Sequence, residues 1–258
     1  MNAEALLEIL RKGVKRLVGD ESRIAVAYSG GIDSSIIAAI AGEFASVECY
    51  TCSVDGSFDA LNAVQRGQEE GLNPHQIVLG PERLPAEVAA ASHAIDDHRP
   101  VPIAYTIPIL MVIEESKERL VLAGSGADEL FGGYSKYLSL KDPEAAMAID
   151  LQKMSHEVHR FRTWTAEIGK RLELPFLDES VVRFARTVPL SDKIEQSERK
   201  VILKDVAKLL GLPSDIRPKR AAQYSSGVLR LMQKTAKQSG VSAAEWTRQV
   251  ISAARRSP

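Results

Sequence analysis

Ser29-Gly30-Gly31-Ile32-Asp33-Ser34-Ser35 stands between two short apolar runs, residues 24–28 and residues 36–40. This order predicts a strand, a glycine turn lined with hydroxyl groups, and the start of a helix. The N-terminus of a helix attracts phosphate, because its first N–H groups lack partners within the helix and its dipole end is positive. Gly30 and Gly31 let the backbone come close to such a ligand, since they have no Cβ. The stretch therefore predicts a loop that binds the phosphates of a nucleotide.

The residue types in this stretch limit the reaction that it can serve. No lysine follows the glycines, so the loop is not the kind that grips the β and γ phosphates for transfer of the γ-phosphoryl group. The simpler alternative is a tight strand-to-helix turn in which Asp33 or Ser34 caps the helix. Seven consecutive residues that suit phosphate, placed between a strand and a helix, favour nucleotide binding.

The whole chain has the composition of an ordinary globular protein. Its 258 residues are 45% apolar and 26% charged, and its formal net charge is -1, so no overall basic field draws it to nucleic acid or to an anionic membrane. Its 2 cysteines cannot form a disulfide framework, and its first residues lack the layout of a signal peptide. Charged residues interrupt every apolar stretch before it reaches membrane-spanning length. We expect a reduced, cytoplasmic compartment without membrane contact.

Strand and helix patterns alternate in the first half of the chain. They predict a helix over residues 3–18, strands at residues 24–28, 47–53, 76–79 and 120–123, and helices from residue 34, at residues 57–70 and at residues 108–118. Such alternation predicts an α/β fold, in which a parallel sheet has helices on both faces. Further helices are predicted at residues 145–161, 179–187, 198–210, 228–238 and 243–254. We expect an N-terminal helix in residues 1–20 and one domain in residues 21–258, with an α/β core up to residue 140 and a mostly helical remainder.

A second glycine-rich segment, Gly124-Ser125-Gly126-Ala127-Asp128-Glu129-Leu130-Phe131-Gly132-Gly133-Tyr134, follows the strand predicted to end at residue 123. Ligands of parallel sheets bind beyond the carboxyl ends of the strands, so this segment and residues 29–35 are expected to meet at one ligand. Asp128 and Glu129 suit Mg²⁺, although acids at a helix N-terminus also stabilise the helix dipole without any ligand. Next to a triphosphate the acids would be repelled unless a cation lay between them, which favours the metal.

Four boxes of this chain, in the same order, resemble the synthetase domain of the asparagine synthetase family. They are residues 29–35, residues 123–134, Pro175-Phe176-Leu177-Asp178 and Arg217-Pro218-Lys219, with a weaker match at Gly56-Ser57-Phe58-Asp59. The first box is similar to the loop of the PP-loop ATP pyrophosphatases, which holds the pyrophosphate that leaves when the α-phosphorus is attacked. The resemblance covers residues 23–228 and implies the adenine nucleotide alpha hydrolase-like form of the α/β fold.

The resemblance implies an ATP-dependent ligase that forms AMP and pyrophosphate, adenylates a small carboxylate and passes the acyl group to ammonia or an amine. ATP and Mg²⁺ are the implied cofactors, with Asp33 and Asp128 on the metal. The implied nucleotide-binding residues are Ser29, Gly30, Gly31, Asp33, Ser34, Ser35, Cys52, Gly124 and Gly126, of which Cys52 and Gly124 face adenine through their backbone. Lys219 would neutralise charge on the reacting phosphorus and on pyrophosphate, and Lys200 and Asp128 complete the implied catalytic set.

The chain departs from the family pattern in ways that bear on the reaction. The amidotransferase domain of the family, with its N-terminal nucleophilic cysteine, does not precede the loop, so a stand-alone synthetase domain served by free ammonia, an amine or a separate glutaminase subunit is expected. Ser125 stands where the family has a glutamate, and a serine is no carboxylate base near neutral pH. The acyl substrate and the state of oligomerisation, including a homo-oligomer, are left open.

Two other functions stay open at this stage. Cys49 and Cys52 form a C-x-x-C pattern, and some PP-loop enzymes that thiolate tRNA use cysteines. On a strand, however, residues three apart point to opposite faces, so the pattern favours two separate buried side chains. The other alternative is a non-catalytic ATP-binding subunit that has lost the carboxylate at Ser125 and works with a partner.

Overall fold

The computed structural model describes residues 2–213 and 226–256. Its centre is a five-stranded parallel sheet in the order β3-β2-β1-β4-β5. The strands are β1 Arg23–Ala27, β2 Ser46–Ser53, β3 His75–Val78, β4 Leu120–Ala123 and β5 Arg171–Glu173, and a separate antiparallel hairpin pairs β6 Ile194–Glu195 with β7 Glu198–Arg199. The predicted α/β fold with a parallel sheet is confirmed. The sequence pattern does not predict β5, because three residues are too few to show a strand period.

Helices surround the sheet. They are α1 Asn2–Val18, α2 Ile32–Ala41, α3 Phe58–Glu69, α4 Leu84–Ile95, α5 Pro100–Glu115, α6 Ala127–Phe131, α7 Pro143–Glu167, α8 Glu179–Ala185, α9 Leu190–Lys193, α10 Val201–Leu209, α11 Val228–Gln238 and α12 Ala243–Ala254. In the described part of the chain, none of these helices is both long and apolar enough to cross a membrane.

The two faces of the sheet bury different sets of helices. Side chains of successive strand residues point to opposite faces, so Ile24 and Val26 of β1 lie in one apolar cluster and Ala25 lies in the other. The first cluster packs the sheet against α1, α2, α8 and α10, and the second packs it against α4, α5, α11 and α12. Both faces of the sheet are covered by these clusters, which explains why residues 24–27 of β1 and all of β4 are continuous apolar runs and not alternating ones.

Prolines move one helix boundary away from its predicted place. The sequence predicts a helix at residues 108–118, whereas α5 begins at Pro100 and carries Pro108 in its interior. Pro100 and Pro102 are tolerated because the first turn of a helix has no internal partner for its N–H groups. A second difference concerns residues 198–210, which are predicted as one helix: here Lys200 has φ 57° and ψ 39°, and it separates β7 from α10.

Candidate active site

The two glycine-rich segments meet where the order of the strands reverses. β1 and β4 are neighbours in the sheet, although β2 and β3 lie between them in the chain, and the segments follow their carboxyl ends. A Cβ added to Gly124 would lie 2.9 Å from Asp33 Cβ and 3.1 Å from the Ser34 nitrogen. The loops are therefore in direct contact at the edge where parallel sheets bind their ligands. The expectation that they meet is confirmed, and the nucleotide-binding roles assigned to their residues stay a prediction.

Gly30 fits its place because it has no side chain. Its φ of 67° lies in the left-handed region, and a Cβ there would stand 2.7 Å from Asn62 Nδ2 and 2.9 Å from Ala63 Cα. Asn62 Nδ2 donates a hydrogen bond of 3.0 Å to the carbonyl oxygen of Ser29. Helix α3 thus supports the loop through the Asn62 amide, which belongs to none of the sequence motifs. The sequence indicates this role only by placing a polar residue on a buried face of the helix.

Hydroxyl groups hold the turn itself. Ser34 Oγ donates to the Gly31 carbonyl oxygen at 2.9 Å, and the Ser29 N–H donates to Ser34 Oγ at 3.3 Å. Gly31 is the N-cap residue of α2 and offers no side-chain cap, so the capping role considered for Asp33 or Ser34 is wrong. An uncapped helix start aimed out of the loop is suited to an anion.

Ser35 has a different environment from the rest of the loop. Its Oγ is shielded from solvent, and it lies next to the hydroxyl of Tyr28 and the carboxyl of Glu70. Tyr28 Oη donates to Glu70 Oε2 at 2.9 Å. The Ser35 hydroxyl thus belongs to the support beneath the loop, and direct contact of this group with phosphate would require it to turn.

Helix α6 gives the second loop its shape. Gly126, with φ 98°, precedes this helix, and a Cβ there would lie 2.5 Å from Leu177 Cδ2. The glycine therefore packs on the 3₁₀ turn Pro175–Leu177, which brings a third sequence box to the same place. Asp178, the last residue of that box, caps α8 by accepting from the Ser180 N–H at 3.0 Å and pairs with Arg16 of α1. Asp178 has a structural role in holding these elements together.

Lys200 joins the two loops through its ammonium group. Its Nζ lies 2.5 Å from Asp33 Oδ2 in the first loop and 2.5 Å from Asp128 Oδ1 in the second. The lysine side chain is 8% exposed, so this ion pair is largely shielded from solvent. Burial alone would favour the neutral amine, but the carboxylates of Asp128 and Asp33 outweigh it and raise the pKa of Lys200. The site thus holds a permanent cation between two carboxylates.

The backbone around this ion pair leaves no room for a further side chain. A Cβ added to Gly133 would stand 2.6 Å from Asp128 Cγ, and closer still to Asp128 Oδ1 and Lys200 Cε. The Gly133 N–H donates to the Asp128 carbonyl oxygen at 2.8 Å, and Arg199 donates to the Gly133 carbonyl oxygen at 2.6 Å. Hydrogen bonds at its N–H and its carbonyl oxygen therefore hold Gly133 against the Asp128–Lys200 pair. The sequence motif alone does not explain why this position is a glycine.

Glu129 lies next to the ion pair and is almost completely buried. Its Oε1 accepts a hydrogen bond of 2.5 Å from Tyr134 Oη, and its Oε2 has no hydrogen-bond partner among the described residues. Burial raises the pKa of Glu129 to about 7, and the charge of Asp128 adds to this against the opposing bond from Tyr134. Glu129 therefore gains a proton near neutral pH in the folded protein.

The raised pKa of Glu129 predicts a specific dependence of stability on pH. The folded protein binds one more proton than the unfolded chain between the ordinary carboxyl pKa and about 7, so the stabilising contribution is complete at low pH and is lost as the pH rises through about 7. This loss is on the order of 2 kcal/mol in the free energy of unfolding between pH ~5 and ~8. We expect the Glu129→Gln variant not to show it. Denaturant unfolding at several pH values measures it.

The control for this experiment is Glu179→Gln, on a side chain that is 86% exposed and pairs with Arg183 on the same helix. This variant is expected to follow the wild-type pH profile. Parallel profiles for wild type and Glu129→Gln would show that Glu129 does not take up the proton.

Asp33 and Asp128 have the chemistry of a magnesium site. Mg²⁺ prefers oxygen ligands and is commonly held by one or two carboxylates together with substrate phosphates. The two carboxylate oxygens lie at 2.5 Å from the same nitrogen, so they are close enough to share one cation. Residues 2–213 and 226–256 contain no group of three or more His, Cys, Asp or Glu side chains that could hold a metal ion. The residues present thus fit a Mg²⁺ ion whose coordination is completed by a phosphate ligand.

The remaining predicted site residues lie in three kinds of place. Cys52 is buried near the end of β2, with its Sγ 3.4 Å from Met111 Sδ, so only its backbone is available to a ligand. Gly124 and Gly126 lie in the second loop described above, whereas Ser125 is exposed. Lys219 falls outside the described residues, and its implied role stays a prediction.

The parallel sheet, with two glycine-rich loops in contact at the carboxyl ends of its neighbouring strands β1 and β4, defines an α/β protein whose loops meet where such sheets bind their ligands. The family model described as asparagine synthase matches residues 5–172 and 165–255. The chain belongs to the asparagine synthase family.

The curated relatives give the same family over most of the chain. A Methanocaldococcus jannaschii protein, named among the glutamine-hydrolysing asparagine synthetases, is 30% identical over 93% of this chain and 52% of its own length. Asparagine synthetase B of Escherichia coli K12 is 23% identical over 86% of this chain and 44% of its own length. Among solved structures, NMN synthetase from Francisella tularensis aligns with 95% of this chain and 83% of that chain, at 14% identity and a TM-score of 0.46. The chain spans about half the length of these curated relatives.

Proposed function

We propose that this protein is an ATP-dependent ligase that forms AMP and pyrophosphate, adenylates a carboxylate and transfers the acyl group to ammonia or an amine. The observation that carries the proposal is the contact of Lys200 with both Asp33 and Asp128. Through this contact one ammonium group joins the loop of residues 29–35 to the loop of residues 124–134. Membership of the asparagine synthase family supports the same type of reaction.

The proposed reaction has two steps. A carboxylate oxygen of the acyl substrate attacks the α-phosphorus of ATP, and the bond from this phosphorus to the oxygen that bridges to the β-phosphorus breaks, which releases pyrophosphate. The nitrogen nucleophile then attacks the acyl carbon, loses a proton and expels AMP. Each step develops charge on phosphate oxygens, so preorganised cations and N–H donors are the groups that accelerate it.

The residues of this chain take the following roles in the proposal. The free N–H groups at the uncapped start of α2, including that of Ser34, and the hydroxyl of Ser29 bind the β- and γ-phosphates in this proposal. Lys200 pairs with their negative charge. Lys219 keeps the role implied by the family resemblance, on the reacting phosphorus. Mg²⁺, held by Asp33 and Asp128, would supply charge neutralisation of the triphosphate.

The substrate side of the site is less defined than the nucleotide side. Ser125 is exposed and has no carboxylate with which to accept a proton from an incoming amine. The acyl substrate is therefore left as a small carboxylic acid, and aspartate is one candidate among several. We propose that nitrogen comes from free ammonia, from an amine or from a glutaminase that acts with this chain. The names of the relatives specify glutamine hydrolysis, which favours the glutaminase.

Pyrophosphate formation is the direct test of the proposal. The protein is incubated with ATP, Mg²⁺, ammonia and single members of a panel of carboxylic acids, and pyrophosphate, AMP and ADP are measured separately. AMP and pyrophosphate in equal amounts, dependent on one acid, are expected. ADP as the product would contradict the proposal. No turnover with any acid by protein that binds ATP would also contradict it and would favour the non-catalytic ATP-binding subunit.

The cysteine geometry argues against the alternative of tRNA thiolation. Cys49 and Cys52 are buried in the clusters on opposite faces of the sheet, and burial raises the pKa of each thiol to about 12. Neither group is therefore a thiolate near neutral pH, which a sulfur-transferring cysteine must be. We expect the Cys49→Ala/Cys52→Ala double variant to keep its full rate of pyrophosphate formation.

The double variant is expected to lose stability, since two buried side chains are shortened. Thermal unfolding and initial rates measured on the same sample separate these two effects. A lost rate in a sample that is still folded would restore the cysteines as chemical groups.

A further inference from the structure

We infer that Lys200 occupies the position of the divalent cation in the nucleotide-free protein, so that a metal ion enters this site only together with a triphosphate. The inference deepens the proposed function and rests on it for the identity of the triphosphate. It concerns a property of this chain that can be measured without any reaction.

The position of the Lys200 ammonium carries the argument. The carboxylate oxygens that fit a metal, Asp33 Oδ2 and Asp128 Oδ1, are the same two atoms that Lys200 Nζ contacts at 2.5 Å. A Mg²⁺ ion bonded to both would lie about 2.1 Å from each oxygen, nearly on top of this nitrogen. Two cations cannot share that space, because they would overlap and repel each other without solvent between them.

The lysine is also held in place by the chain around it. Its side chain is 8% exposed, its backbone is in the left-handed region at φ 57°, and Gly133 packs directly against its Cε. A left-handed backbone is unfavourable for a lysine and persists only where the surroundings enforce it. A free metal ion would therefore have to displace a buried, ion-paired and sterically fixed ammonium group.

A triphosphate changes this balance. It brings several negative charges to the start of α2, where Asp33 is the second residue, and thus offers the Lys200 ammonium new partners. The same phosphate oxygens complete a coordination sphere that two carboxylates alone cannot provide. Metal and nucleotide are therefore expected to bind as one complex, and the free metal is expected to be excluded.

Manganese binding without nucleotide tests the inference. Mn²⁺ takes the place of Mg²⁺ because its electron paramagnetic resonance signal reports the free ion directly. Wild-type protein is expected to show no saturable binding at this site, whereas Lys200→Met is expected to bind Mn²⁺ at least ~10-fold more tightly, since the competing charge is gone. Lys204→Met removes a lysine one helical turn away that pairs with Glu198, and it is expected to behave as wild type.

A double variant assigns the gained binding to these carboxylates. Lys200→Met/Asp128→Asn is expected to lose the Mn²⁺ binding that Lys200→Met acquires. Thermal unfolding gives a second measurement: Lys200→Met leaves two carboxylates close together, so Mn²⁺ is expected to raise its melting temperature while that of the wild type does not change.

Two results would overturn the inference. One is saturable Mn²⁺ binding by nucleotide-free wild type that Asp128→Asn abolishes, which decides the matter even where Lys200→Met fails to fold. The other is a folded Lys200→Met variant that binds Mn²⁺ no better than wild type. Neither measurement contains ATP or a carboxylic acid, so a failed search for pyrophosphate formation and a failed exclusion of free metal are distinguishable outcomes.

Discussion

Asp128→Asn is expected to lower the rate of pyrophosphate formation by at least ~100-fold, the usual scale for the loss of one preorganised electrostatic group. The substitution keeps the shape of the side chain and removes its charge. Lys200 then loses one of the two carboxylates that lie 2.5 Å from its Nζ, and the proposed metal loses a ligand. Initial rates at saturating ATP and acid measure the effect, and circular dichroism confirms that the variant is folded.

Asp205→Asn is the matched control for this variant. It makes the same chemical change on a carboxylate that is 50% exposed and pairs with Lys208 at 2.9 Å, and its rate is expected to equal that of the wild type. Asp33→Asn is expected to match Asp128→Asn, since the two carboxylates hold the same ammonium. An Asp128→Asn protein that turns over at the wild-type rate would remove this residue from the reaction.

Gly133→Ala is expected to lower the same rate by up to ~100-fold and to lower the free energy of unfolding by about 1–3 kcal/mol, the usual cost of overpacking. The added methyl group would overlap Asp128 and Lys200, so the two side chains must move apart while the backbone keeps its course. A shift of about 1 Å in groups that position a reaction can cost ~100-fold in rate. Rates and thermal unfolding are measured on the same preparation.

Gly13→Ala serves as the control for the added methyl group. Its Cβ would meet no atom closer than 3.7 Å, and it lies inside α1, where alanine is the better helix former. Wild-type rates and unchanged or slightly higher stability are expected. Equal rates for Gly133→Ala and the wild type would show that the Asp128–Lys200 geometry does not limit the reaction.

Much of the fold follows from local patterns in the sequence. The apolar run at residues 24–28 and the glycines after it predict the central strand and the turn that follows. Parallel strands place their carboxyl ends on one edge, so the order of elements predicts that the two loops share that edge. Their contact at Gly124 and Asp33 also requires β1 and β4 to be neighbours, which the order along the chain does not determine. The division at residues 20 and 140 remains a prediction.

The features that local patterns do not predict depend on contacts between distant residues. Nothing in the sequence around Lys200 indicates that its ammonium lies between Asp33 and Asp128, because that contact is set by the packing of α10 and the hairpin before it. Periodicity predicts one continuous helix at residues 198–210, since it does not detect a single residue in the left-handed region. Asn62 is missed for the same reason: its partner is a backbone carbonyl in another element.

Lys200 lies 167 positions from Asp33 along the chain. During synthesis both acidic loops are therefore made long before the amine that neutralises them. Until α10 packs against the sheet, the two carboxylates repel each other at the edge formed by the carboxyl ends of the strands, and ordering the two loops there costs free energy. Ordering of the two acidic loops therefore depends on the later helices. A prematurely terminated polypeptide would carry the two carboxylates without the ammonium group that neutralises them.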